Sequence, residues 1–207
     1  MRDLPRQTLA TALLLAPLLA LASPASAHVV PTGSGGLVAG FSHPFTGYDH
    51  FLAMFAVGLW GAQMGGRQVW TLPVAFPLIM VLGGIAGIAG LGLSQVTPLI
   101  ETGIALSILV LGLAIALRWH PPEAAALAII TIFALCHGYA HGAELPMAAS
   151  PSDYAVGFVV ATGLIHLIGI GVGLALLPIW QGRLCRLLGV AIALAGLGYL
   201  GVGHLAV

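Results

Sequence analysis

The chain has 207 residues, 59% hydrophobic and only 6% charged, against about 25% charged in an ordinary soluble domain. So few polar groups cannot cover a globular surface in water, which points to lipid as the main solvent. Net charge is zero, with no lysine and no basic run, which argues against a nucleic-acid partner.

The first element in chain order is "MRDLPRQTLATALLLAPLLALASPASA". Arg2 and Arg6 precede a short apolar stretch, Leu9 to Leu21, interrupted by Pro17 and followed by Ala25-Ser26-Ala27. This is the layout of a cleavable signal peptide over residues 1–27. Cleavage after Ala27 leaves His28 as the new N-terminus, outside the cytoplasm.

Six apolar stretches follow, at about 46–64, 69–92, 99–118, 124–144, 155–177 and 185–204. Each approaches the ~20 residues that cross a bilayer as helix. A helix satisfies its own backbone hydrogen bonds in lipid, and the alternation of a barrel strand is absent. The expected fold is an all-α membrane protein, a six-transmembrane-helix bundle over residues 28–207. Among its 29 glycines, Gly83 with Gly87 and Gly169 with Gly173 are spaced four apart, which lets helix backbones approach closely. Cys136 and Cys185 define no disulfide framework and read as small apolar side chains.

Orientation follows from the arginines. With the mature N-terminus outside, the links after spans one, three and five face inward. Arg67, Arg118, Arg183 and Arg186 fall in or beside those links, while 93–98 and 145–154 hold no Lys or Arg. That is the positive-inside pattern, and it places the C-terminus outside as well.

Ionisable groups inside a bilayer are costly and usually mark a path or site. Span one opens with His43, Asp49 and His50; span three begins near Glu101; span four ends with His137, His141 and Glu144; span five carries His166 about halfway. The topology brings all of these into the outer half of the bundle, with His166 deepest. His137, His141 and Glu144 share one helical face. His43 and His50, seven apart, also share one if their helix starts early, with Pro44 suited to its first position and Gly47 loosening that start. Imidazoles with carboxylates suit a divalent first-row cation, and nickel, cobalt and zinc are the physical candidates. Plainer readings stand beside this one. His166 alone serves equally well as a packing residue. Glu101 either caps or pairs structurally, or supports the site. His120 and His204 sit at span ends as structural or solvated groups, Cys136 is off the His137 face, and Glu123 and Asp153 read as solvated charges.

Four pieces, "HPFTGYDH", "MFAVGLW", "ETGIALS" and "HGYAHGAE", stand in the order that resembles the HupE/UreJ family of nickel permeases. The resemblance covers essentially the whole chain. It implies a signal peptide, a bacterial inner-membrane location, six spans and uptake of nickel, in some members cobalt, from the periplasm. It carries transport roles onto His43, Asp49, His50, His137, His141 and Glu144. His28, once freed, offers an imidazole and an α-amine to the metal. Members often have Phe where this chain has Cys136. The metal is cargo rather than a prosthetic group, with zinc less favoured. The implied partners are the bilayer, the ion and a downstream nickel- or cobalt-enzyme maturation pathway, and a homo-oligomer is compatible with the reading. A different class stays open: an intramembrane zinc-dependent hydrolase using the same His/Asp cluster with one open position for water. A metal-sensing or accessory role is a third reading.

Overall fold

The computed structural model describes residues 35–91, 93–146 and 149–205, so the expected signal peptide and His28 lie outside the described residues. No strand occurs among the described residues. The helices are α1 (Gly36–Thr46), α2 (Tyr48–Met64), α3 (Gln68–Ile88), α4 (Leu93–Ala116), α5 (Glu123–Ala143), α6 (Pro151–Leu176) and α7 (Arg183–Leu205). A 3-10 turn, Ile179–Gly182, leads into α7.

Five helical segments are long and apolar enough to cross a membrane: Gln68–Ile88, Val96–Ala116, Glu123–Ala143, Pro151–Leu176 and Ile179–Gly201. They correspond to the second through sixth apolar stretches. The first stretch forms α2, which has only 17 residues. At ~1.5 Å per residue it is about 25 Å long, short of the ~30 Å hydrocarbon core. Helix α1 was not expected at all. Pro44 lies near the end of α1 rather than at a helix start, and the chain breaks at Gly47 (φ −83°, ψ 96°).

Glycine sets the packing. A Cβ on Gly83 or Gly87 of α3 would strike the α5 backbone at Leu135 or Tyr139. One on Gly138 or Gly142 of α5 would strike Met80 or Gly84 in return. Gly58 of α2 and Gly169 of α6 meet the His166 and Phe55 backbones in the same way, and Gly112 of α4 meets Ala193 of α7. Close backbone approach maximises dispersion contact where lipid supplies no hydrophobic drive.

Helix α2 forms the centre. Ala53, Met54, Ala56, Val57, Leu59 and Trp60 are all fully buried, against α6, α4 and α3. At its C-terminal end the Trp60 indole donates to the Trp119 carbonyl (3.0 Å) and the Gln63 amide donates to the Ile115 carbonyl (3.0 Å). Arg186 Nε donates to the Ala116 carbonyl (2.8 Å) nearby, and Arg67 lies 3.9 Å from Glu123. The arginines of the described residues therefore collect at this end. The N-terminal end of α2 meets the C-terminus of α5 and the start of α6 at the opposite end of the bundle. Leucines such as Leu78, Leu82, Leu99 and Leu187 face outward, as suits a lipid-facing surface.

Candidate metal centre

The break at Gly47 builds the site. Seven residues of continuous helix would separate His43 from His50 by about 10 Å along the axis. With the chain broken between them, their ring centroids are 5.6 Å apart. His141 enters from α5, 4.7 Å from the His43 ring and 4.8 Å from the His50 ring. All three are buried, and one ring nitrogen from each lies within 4.8 Å of the others. At ~2.0–2.1 Å from one ion, the nitrogens of a tetrahedral site sit about 3.4 Å apart. Closing the trio on an ion therefore draws its most widely spaced donors together by up to about 1.4 Å.

Carboxylates flank the trio. His50 donates to Asp49 Oδ1 from its backbone N–H (2.8 Å) and its ring Nδ1 (2.9 Å). The proton on Nδ1 leaves the lone pair on Nε2, which is buried and has no hydrogen-bond partner in the structure. Such a carboxylate fixes the tautomer and orientation of a ligating histidine. Glu144 caps the C-terminus of α5 and places Oε2 3.2 Å from His43 Nε2. Expected on the His137–His141 stripe, it is the residue just past the end of α5, and its carboxylate reaches His43 of α1. Two carboxylates thus stand ready to balance two positive charges.

His141 stacks on Phe158, with centroids 5.0 Å apart and planes 3° from parallel. Both its ring nitrogens are buried without a hydrogen-bond partner. An unsatisfied buried polar atom costs about 1–3 kcal/mol, a demand that a cation would meet.

The remaining expected residues divide. His137 stands edge-on to His50, with centroids 4.7 Å apart and planes at 90°. His166, buried in α6, is not brought to the trio. Phe76 of α3 intervenes, 5.6 Å from the His137 ring and 5.5 Å from the His166 ring. Glu101 also stays apart: it is exposed on α4, within electrostatic range of Asp49 and His50 but outside the cluster. The Cys136 sulfur packs toward Gly103 of α4. His120 lies between the carbonyls of Arg118 and Gln63 at the far end. Glu123, read as a solvated charge, is partly buried in the first turn of α5, opposite Arg67.

Three residues escaped the sequence reading. Ser107 lies 3.0 Å from His137 Nε2, and its only signal was a lone hydroxyl in an apolar run. Phe76 resembled any core aromatic. Tyr154 lies 6.4 Å, ring to ring, from both His43 and His141, with its hydroxyl buried; its proximity to the first motif depends on tertiary packing.

Apolar helices wrapped around a buried histidine–carboxylate cluster define a helical membrane protein with polar chemistry in its interior. The HupE / UreJ protein family model matches residues 15–199. Protein HupE of Rhizobium leguminosarum bv. viciae is 42% identical over 180 residues, covering 86% of this chain and 92% of the relative. No solved structure matches. The chain belongs to the HupE/UreJ family, whose members are generally nickel or cobalt transporters. Nothing in these comparisons supports the hydrolase reading.

Proposed function

We propose that this chain is a bacterial inner-membrane permease that takes up divalent nickel, or cobalt, from periplasm to cytoplasm. In this reading α2 is a sixth crossing, preceded by a cleaved signal peptide, and both mature termini are periplasmic. Although α2 is short, its two ends reach opposite ends of the bundle. The arginines gather at the end remote from the histidine cluster, which supports placing that end in the cytoplasm.

The observation that carries the reading is the buried His43–His50–His141 trio with donor nitrogens within 4.8 Å. A hydrated cation arrives at the outer end, drawn by Glu144 and Asp49, with Glu101 adding negative potential nearby. The three imidazoles replace part of its water shell, and His137 takes it deeper. Passage beyond Phe76 brings it to His166. An inside-negative potential is worth about 4.6 kcal/mol per 100 mV to two charges crossing the membrane. Binding at each station must stay weak enough for release.

Metal influx into sealed liposomes holding the purified protein tests this. Nickel, cobalt and zinc are offered separately, to wild type and to His50→Ala. Nickel or cobalt influx, lost in the variant and increased by an inside-negative potential, is expected. Tight binding without influx in folded protein would overturn the proposal.

A further inference from the structure

Ser107 is fully buried in the middle of α4. Its hydroxyl oxygen lies 2.6 Å from the carbonyl oxygen of Ile104 and 3.0 Å from Nε2 of His137. A carbonyl only accepts, so the single hydroxyl proton is committed to Ile104. The Ser107 oxygen then has only lone pairs to offer His137, and Nε2 must be the donor. A neutral imidazole carries one proton, which leaves the lone pair on Nδ1. That Nδ1 is buried and has no hydrogen-bond partner in the structure.

His50, 4.7 Å away ring to ring, is set the opposite way, with Nδ1 held by Asp49 and Nε2 left open. The two partners differ in kind. A carboxylate raises the basicity of the imidazole it holds, whereas a neutral hydroxyl acceptor does so less. His137 is therefore the weaker donor of the pair.

We propose that Ser107 is a positioning residue that locks His137 in its Nε2–H tautomer, so that Nδ1 is presented to a divalent cation leaving the His43–His50–His141 trio. The cation's part in this rests on the permease reading; the tautomer does not. A weaker donor after a stronger one holds the ion loosely on its way inward, which favours release from His137 over retention there.

The tautomer is measured on metal-free, full-length protein labelled with 15N-histidine in detergent, by long-range 1H–15N correlation, with the His137 signals assigned by their loss in His137→Gln. Wild type is expected to show a protonated Nε2 and an unprotonated Nδ1. Ser107→Ala is expected to populate the other tautomer, and Ser107→Thr, which keeps the hydroxyl, to restore the first. In Ni2+ titrations the binding step that is lost in His137→Gln should be about 10–100-fold weaker in Ser107→Ala, with Ser107→Thr near wild type. A protonated Nδ1 in wild type, or an unchanged tautomer in folded Ser107→Ala, overturns the proposal. Should Ser107→Ala fail to fold, the wild-type spectrum alone decides. The predicted tautomer in a protein that moves no nickel refutes the permease reading and leaves the role of Ser107 standing.

Discussion

At Asp49 the chain holds an anion 2.9 Å from a buried imidazole instead of leaving it in water, and the local chemistry depends on that choice. Asp49→Asn keeps an acceptor for His50 Nδ1 but removes the charge. Nickel affinity should fall by about 10–100-fold, as for other losses of a partner that orients a metal ligand, while the helical circular dichroism stays unchanged; isothermal titration measures the first. Tyr154 gives the contrasting case. Its hydroxyl is buried without a hydrogen-bond partner, so removing it strands nothing. Thermal unfolding of metal-free Tyr154→Phe should therefore begin no lower than that of wild type. Of these two residues only Asp49 was legible in the sequence, because a carboxylate in an apolar run announces its cost. A tyrosine near a span end is ordinary, and the His43 ring beside it belongs to an element over a hundred residues earlier.

Between helices, small residues and breaks decide where the histidines meet. His137 and His141 alternate with Gly138 and Gly142 on α5, so one face carries imidazoles while the neighbouring face lies against α3. Gly138→Ala puts a methyl into the Met80 backbone; overpacking of this kind costs about 1–3 kcal/mol. Gly171, helical with open space at its Cβ position, is the control. Gly171→Ala should be neutral or stabilising by up to about 1 kcal/mol through helix propensity. Denaturant unfolding in mixed micelles compares the two. The i, i+4 pair on α5 was readable because one continuous helix carries it. The His43–His50 pair was readable as a motif but not as geometry. Residues 36–46 include Ser42, His43, Pro44 and Thr46, too polar to register as an apolar run, so α1 became visible only in the fold; Gly47 was legible as a loosened helix start but not as a break between two helices.

Across the whole molecule, the arrangement is polar in direction, with the histidine cluster at one end and the arginines, Trp60 and Gln63 at the other. The hydropathy runs foretold all the long helices, since lipid demands length and apolarity together. They did not foretell that α2 would be short and enclosed by its neighbours, because a buried helix and a lipid-facing one are equally apolar. Topology can be tested by cysteine labelling in a Cys136→Ser, Cys185→Ser background. Ser150→Cys should react with an impermeant reagent from the periplasmic side, and Gln181→Cys only after the inner membrane is opened. Labelling at both positions from one side would exclude the six-crossing reading.

The most direct measurement is nickel X-ray absorption on the purified, nickel-loaded protein, wild type beside His43→Ala, His50→Ala and His141→Ala. Imidazole scattering from about three histidines is expected in wild type, with one fewer in each variant that still holds the ion. An all-oxygen coordination sphere, or spectra that do not change when any of the three histidines is removed, would contradict the trio as the cargo site.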